Sequence, residues 1–320
     1  MKVVLDGTEG QSHFALLDDL KSEIPGLQIV EQLDPTLALQ EVADAEVVYG
    51  LPSAALVQAA PRLRWIQSSA AGVEYIAQIP EVVESDIIVT NTRGAHGPSI
   101  GEHTCALLFS LTRMLPQCWQ RQQQRSWDRS GIYRSAREMF GSTMGIIGYG
   151  AIGRSIAKRA AGFEMHVVAV DANPVAPDDH VTEVWPMSGL DQLLATSDVV
   201  VVTAPLTPET GHLLDEAKLN LMKSNAYLIV VSRGGIVAED ALAVALTEGK
   251  LAGAAIDVAE IEPLPDTSPL WDAPNLLMTP QTAGASTEKE RRCVEIFRDN
   301  LLRFHRGEPL RNVVDKRRGY

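Results

Sequence analysis

Short apolar runs punctuate the first ninety residues at 2–5, 27–31, 46–49, 63–67 and 87–90, and each predicts a strand. Between them, 12–22, 36–42, 53–60 and 73–79 carry helical spacing. Ser12 and Ser53 stand where N-caps belong, and Asp44 falls in the turn before the third strand. Next, 98–115 predicts a long helix with Ile100, Leu107, Leu108 and Leu111 on its apolar side. A polar, basic stretch with Trp119, Trp127 and Tyr133 occupies 117–137. Alternation then resumes, with strands expected at 144–147, 166–170, 198–203, 226–231, 252–258 and 276–279. Helices are expected at 151–162, 190–195, 238–247 and 287–306, and a loop at 173–186. Strands alternating with helices predict parallel sheets covered on both faces, so the fold class is α/β with two doubly wound domains.

Only the second block carries a phosphate fingerprint. Gly148, Gly150 and Gly153 form G-x-G-x-x-G between a strand and a helix. The first glycine permits the tight turn, the second lets a pyrophosphate approach the backbone, and the third lets helix and strand lie close. The helix N-terminus then offers free N–H groups to phosphate. Asp171 ends the following strand, 18 residues beyond Gly153 (171 − 153), where an acid meets the adenosine ribose. A carboxylate accepts from a 2′-hydroxyl and repels a 2′-phosphate. Ala172, Asn173 and Pro174 follow without an arginine, so the expected cofactor is NAD, with NADH preferred over NADPH.

Composition narrows the partners. The 320 residues carry a net charge of −13, which excludes a broad nucleic-acid surface but not a small anionic substrate in a locally positive site. No apolar run approaches the roughly 18 residues of a membrane span, and the first residues lack a signal peptide's apolar region, so the expected location is cytoplasmic. Cys105, Cys118 and Cys293 form no C-x-x-C pair and read as buried structural thiols. The basic aromatic stretch 117–137 reads as an arm packing on a second subunit rather than on nucleic acid.

Ligands of open parallel sheets bind beyond the carboxyl ends of the strands, and several polar residues fall there. Arg233 follows one strand and can fork onto a carboxylate. Glu262 and Gln281 follow two others, and a structural Arg233–Glu262 pair is the competing reading. In the first block, Ser68 to Glu74 forms a turn of small residues opening a helix, and Asn91 to Pro98 carries Arg93 and His96. His103, in the next helix, reads as a structural histidine.

The segments SRGGIVAEDALAVAL, GAAIDVAEIEPLPDTSPLW, PNLLMTPQTAGAS, TAPLTPET, WIQSSAAGVEYI and VTNTRGAHGPSIGEH, with the glycine fingerprint, resemble the NAD-dependent D-isomer-specific 2-hydroxyacid dehydrogenases across nearly the whole chain. The resemblance implies a flavodoxin-like substrate domain from 1–96 plus 286–320 and a Rossmann NAD-binding domain over 97–285. It also implies a homodimer joined through the nucleotide-binding domain and an active site in the cleft. Arg233 resembles the substrate-binding arginine, and Glu262 the glutamate that raises a catalytic histidine's pKa. Ala71, Gly72 and Val73 resemble the turn holding the substrate carboxylate; Arg93 and His96, a cation and an imidazole in the neighbouring loop, are read from their own chemistry as further substrate contacts. Cofactor contacts carry over to Gly148, Gly150, Ala151, Ile152, Gly153, Asp171, Thr203, Pro205, Val231, Ser232, Arg233, Asp257, Gln281 and Gly284. Asp257 would face the nicotinamide carboxamide.

The departure from the family pattern is at Thr279-Pro280-Gln281, where the family reads T-P-H. An amide hydrogen-bonds a carbonyl oxygen but cannot act as an acid near neutrality. The implied function is therefore NAD-dependent reduction of a 2-oxo acid to a 2-hydroxy acid, with altered acid–base chemistry at Gln281. The alternatives are an NAD(H)-binding regulatory or partner-binding protein without fast turnover, and a redox enzyme whose substrate needs no proton relay. No metal is expected.

Overall fold

The computed structural model describes residues 1–6, 11–32 and 34–318. The chain divides into two compact units, one of Met1–His96 with Ala285–Tyr320 and one of Gly97–Gly284.

The first unit holds β1 (Lys2–Asp6), β2 (Gln28–Gln32), β3 (Val47–Tyr49), β4 (Trp65–Gln67) and β5 (Ile88–Thr90). They form one sheet in the order β2-β1-β3-β4-β5, and every pairing is parallel. This is the flavodoxin-like order. Its first helices are α1 (Leu20–Glu23), α2 (Pro35–Glu41), α3 (Ala54–Ala59) and α4 (Pro80–Val83). Ser53 caps α3 by accepting from the Leu56 N–H at 3.1 Å. The helix expected over 12–22 is instead a 3-10 run, Gln11–Leu17, followed by the short α1. Phe14, Leu17 and Leu20 are buried three apart, and a repeat of three matches a 3-10 turn better than a 3.6 period. Val73, Ile76 and Ile79 repeat the same spacing around a second 3-10 run, Glu74–Gln78. Ser12, inside the first run, meets the His13 ring rather than capping a helix.

The second unit holds β6 (Thr143–Ile147), β7 (His166–Asp171), β8 (Glu183–Pro186), β9 (Val199–Val202), β10 (Tyr227–Val230), β11 (Gly253–Ile256) and β12 (Leu276–Met278). These seven form a parallel sheet in the order β12-β11-β10-β9-β6-β7-β8, the Rossmann arrangement. Its helices are α5 (Gly97–Thr112), α6 (Leu115–Gln123), α7 (Ile132–Ser135), α8 (Ala151–Gly162), α9 (Leu190–Thr196), α10 (Glu216–Leu219) and α11 (Glu239–Thr247). All four residues of β9 are 0% exposed, as a central strand covered on both faces requires. β8 was not foreseen. It is a short edge strand of mixed polarity ending in a proline, so no apolar run announces it. The long helix also breaks earlier than its periodicity predicts, at Met114, which takes a left-handed φ of 58° before α6 begins.

The last helix, α12 (Thr287–Arg306), belongs to the first unit. Its Val294, Phe297 and Leu301 are fully buried with Val3, Leu5, Tyr49 and Trp65. Burying such side chains is worth about 1.5–3 kcal/mol each. A polar thread secures the same helix, because Asn300 Nδ2 donates to the buried Gln67 Oε1 at 3.1 Å. The tail beyond α12 then bridges β5 through Thr90 and Val313, covering an edge.

Candidate functional site

The fingerprint turn is shaped by contacts with the strand beside it. Gly148 has a φ of +92°, and a Cβ there would lie 2.8 Å from the Ala204 nitrogen. A Cβ at Gly153 would lie 2.4 Å from the Gly148 carbonyl oxygen, so the start of α8 can approach only without a side chain. Gly150 has nothing within 4 Å of that position, which leaves its backbone open. Thr203, directly after β9, donates to the Gly148 carbonyl at 2.5 Å and locks the turn to the neighbouring strand. β6 and β9 are where the strand order reverses, the place where open α/β sheets bind ligands.

Asp171 lies at the tip of β7. Its Oδ2 accepts from the Tyr149 N–H at 2.7 Å and its Oδ1 from the Asn173 N–H at 2.8 Å. Asn173 Nδ2 adds a long third contact to Oδ1 at 3.5 Å, and of a carboxylate's roughly four acceptor sites the free one on Oδ2 remains for a ribose hydroxyl. Tyr149 itself is 1% exposed, and its hydroxyl donates to Asp178 Oδ1 at 2.9 Å. Arg154 pairs with the same Asp178 and lies 4.7 Å over the Tyr149 ring. Burial, and then the bond to the Asp178 anion, push the Tyr149 hydroxyl far above the usual tyrosine range. The hydroxyl therefore keeps its proton and stands as the donor toward Asp178. Ala151 and Ile152 open the first turn of α8, and Pro205 is exposed beyond Thr203.

Further along the same edge, Val231 and Ser232 are buried after β10, and the Ser232 hydroxyl is a buried oxygen without a protein partner. Arg233 is half-buried, with one guanidinium nitrogen donating to the Ser232 carbonyl at 2.8 Å. Glu262 is exposed and accepts from the Ala259 N–H at 3.0 Å, bracing its own loop.

After β12 the chain enters a turn organised around Asp257, which is 3% exposed. Asp257 Oδ1 accepts from Thr279 Oγ1 at 2.5 Å and from the Thr282 N–H at 2.9 Å. Its Oδ2 accepts from the Ala283 N–H at 2.9 Å, and its carbonyl from the Gln281 N–H at 2.8 Å. Gln281 sits at the apex with a φ of 52°, a left-handed conformation costing about 1–3 kcal/mol for a non-glycine residue. Four bonds to one aspartate hold that conformation and leave the Gln281 side chain exposed. His103, from α5, lies with Nε2 3.0 Å from Thr279 Oγ1 and 3.5 Å from Asp257 Oδ1. Gly284 closes the turn, its carbonyl accepting from Ser99 Oγ at 3.3 Å.

In the first unit, two loops at the carboxyl ends of β4 and β5 are tied together. Asn91 Nδ2 donates to the Ala71 carbonyl at 2.8 Å, and Thr92 Oγ1 to the Ser69 carbonyl at 3.2 Å. Gly72 is half-buried and Val73 buried, so the turn presents backbone rather than bulk. Arg93 is exposed, and His96 is half-buried at the end of the loop. Arg292 of α12 braces that loop by donating to the Ala95 carbonyl at 2.7 Å.

Residues 105–283 match the family model described as D-isomer specific 2-hydroxyacid dehydrogenase, NAD binding domain. The chain belongs to the D-isomer-specific 2-hydroxyacid dehydrogenase family. It is 36% identical over 265 residues to a glyoxylate reductase of Thermofilum pendens, covering 82% of this chain and 78% of that one. A glyoxylate reductase of Korarchaeum cryptofilum is 33% identical over 96% of this chain and 91% of its own. Among solved structures, a D-isomer specific 2-hydroxyacid dehydrogenase family protein from Aeromonas salmonicida superposes with a TM-score of 0.85 at 32% identity, over 98% of this chain and 99% of that one. This dehydrogenase is thus an NAD-binding oxidoreductase of 2-hydroxy acids, and none of these similarities points to a regulatory protein.

Several residues that build the dehydrogenase's site were not read from the sequence. Thr279, Ser99 and His103 all lie in the family-like segments, but nothing local in those segments announces their contacts with Asp257 and Gly284, and His103 reads from the sequence as a structural histidine. Tyr149, Arg154 and Asp178 form one bonded group over the fingerprint, yet Asp178 lies in a stretch expected to be loop. Only Tyr149 had a signal, its position between two fingerprint glycines. Cys118, expected to be buried, is exposed, because α6 turns that face outward. Among the described residues no helix is long and apolar enough to cross a membrane.

Proposed function

We propose that this dehydrogenase reduces a small 2-oxo acid with NADH and that Gln281 donates a hydrogen bond to the reacting carbonyl. The observation that supports it is the Asp257-held turn, which keeps an exposed amide side chain at the carboxyl edge of the same sheet whose strand β10 leads into Arg233. In this reading Met1–His96 with the C-terminal segment is the substrate domain, and Gly97–Gly284 the NAD-binding domain. Arg233 grips the carboxylate or polarises the carbonyl, and the backbone of Ala71, Gly72 and Val73 holds the carboxylate, with Arg93 and His96 beside it. The pyrophosphate lies on the open Gly150 backbone and the Ala151–Ile152 end of α8, with Gly148 and Gly153 shaping the turn. Asp171 takes a ribose hydroxyl, which favours NADH over NADPH. Thr203, Pro205, Val231, Asp257 and Gly284 line the same edge, and the partnerless Ser232 hydroxyl gives the cofactor a buried polar contact. The bound cofactor supplies a hydride to the carbonyl carbon. An amide holds no transferable proton, so the hydroxyl's proton comes from water, from Glu262 or from His96.

The test mixes enzyme with NADH and a panel of 2-oxo acids and follows cofactor absorbance. Slow turnover is expected, raised about 10²- to 10⁴-fold by Gln281→His, the range a positioned acid contributes. Tight NADH binding with no turnover on any acid would overturn the reading. The exposed Leu115, Trp119, Trp127 and Tyr133 support a homodimer through this unit, checked by the sedimentation of a Trp119→Ser/Trp127→Ser variant. The three cysteines are free, which supports a cytoplasmic setting.

A further inference from the structure

Ser99 and His103 are four residues apart on α5, so they share one face of that helix. They reach opposite ends of the same turn. His103 Nε2 is 3.0 Å from Thr279 Oγ1, and Ser99 Oγ donates to the Gly284 carbonyl at 3.3 Å. Between those two contacts lies Gln281, in its left-handed conformation.

The bond pattern also fixes what His103 Nε2 contributes. Thr279 Oγ1 has one proton and donates it to Asp257 Oδ1 at 2.5 Å. Toward His103 it can only accept, so His103 Nε2 carries a hydrogen and donates it. That hydrogen orients the Thr279 hydroxyl, which in turn orients the carboxylate that holds the Thr282 and Ala283 N–H groups. The chain of bonds runs from α5 through Thr279 and Asp257 into the backbone around Gln281, entirely within the Gly97–Gly284 unit.

We infer that His103 and Ser99 are positioning residues, which act through Thr279, Asp257 and Gly284 to hold Gln281 in the conformation that presents its amide. The role of Gln281 itself rests on the function proposed above; the hold on the turn does not. Nothing in this role requires His103 to exchange a proton. It requires a donor at the position of Nε2, which a glutamine amide supplies and a leucine does not.

The test combines amide hydrogen exchange with steady-state kinetics on the full-length enzyme. His103→Leu is expected to speed exchange at Gln281, Thr282 and Ala283 at least tenfold while exchange in β6, β9 and β10 stays unchanged. It should lower kcat about 10- to 100-fold with KM for NADH within twofold, as a misplaced contact does. His103→Gln should restore both, and Ser99→Ala should reproduce the exchange effect more weakly at Gly284. Unchanged exchange in His103→Leu and Ser99→Ala overturns the inference, whatever happens to turnover. Faster exchange with unchanged kcat upholds the hold on the turn and overturns the role of Gln281. Should His103→Leu fail to fold, Ser99→Ala with His103→Gln carries the same comparison.

Discussion

The fingerprint turn at Gly148–Gly153 and the turn at Thr279–Gly284 stand on the same edge of one sheet, yet they are shaped by opposite means. The first is shaped by what its residues lack. Three missing side chains permit a positive φ, an open backbone and a close helix approach. The second is shaped by what distant residues add. Gln281 has a side chain in a conformation that disfavours one, and Asp257, with Thr279 and His103 behind it, holds it there. Local sterics can be written in a motif; a hold supplied from 24 and 178 positions away (281 − 257, 281 − 103) cannot.

Breaking the local side should have the largest effect. Gly153→Val drives a side chain into the Gly148 carbonyl, and the crowding should cost about 1–3 kcal/mol of stability and abolish measurable NADH binding. Fluorescence titration and thermal melting would check it; a variant that binds NADH normally would show that the close approach is dispensable.

Breaking the long-range side should damage turnover more than cofactor binding. Asp257→Asn turns an NH₂ toward backbone N–H donors and should lower kcat about 10- to 100-fold through misplacement of Gln281. Equal losses in kcat and NADH affinity would mean that Asp257 serves the cofactor more than the turn.

A smaller effect tests whether the fingerprint strand also depends on distant residues. Asp198 anchors the start of β6 by accepting from the Thr143 N–H at 2.9 Å and pairs with Lys223 at 2.8 Å. Burial pushes its carboxyl up, but the Lys223 and Thr143 bonds outweigh this and hold it below the usual range. A lowered folded pKa gives stability that is present above the unfolded value and lost as pH falls through the folded one. Asp198→Asn should therefore lower Tm by a few degrees at pH 7, and the gap should close as pH falls below about 4. A gap that persists at low pH would assign the effect to packing.

The smallest expected change concerns the loop that carries Glu262. Glu239 accepts from the Glu260 N–H at 2.6 Å, and its carboxyl is raised by burial and then by the charges of Glu260, Asp240 and Glu262, against the lowering effect of that bond. With a raised folded pKa, its contribution is intact below the unfolded value and is lost as pH rises through the folded one. Glu239→Gln keeps an acceptor and removes the repulsion, so Tm should rise by about a degree or two at pH 7 and not at pH 4. Turnover that tracks this substitution would tie the acidic loop to the chemistry.

Most of the fold was legible because parallel strands buried on both faces need continuous apolar runs, as in Val199–Val202. The misreadings fall where that rule weakens. Apolar residues three apart at Phe14, Leu17 and Leu20 were read at 3.6 and built a 3-10 run. The edge strand β8 is paired on one side only, none of its residues is fully buried, and it shows no run at all.

By itself, the sequence determined two doubly wound sheets, a dinucleotide turn and a glutamine where the family has histidine, because strand periodicity, missing Cβ atoms and side-chain chemistry are local properties. Only the tertiary structure decided that Tyr149 joins Asp178 and Arg154, that Asp257 holds the Gln281 turn, and that His103 stands behind it. Those bonds link residues far apart in the chain, and a hydrogen bond's existence depends on distance and direction, which only the folded backbone supplies.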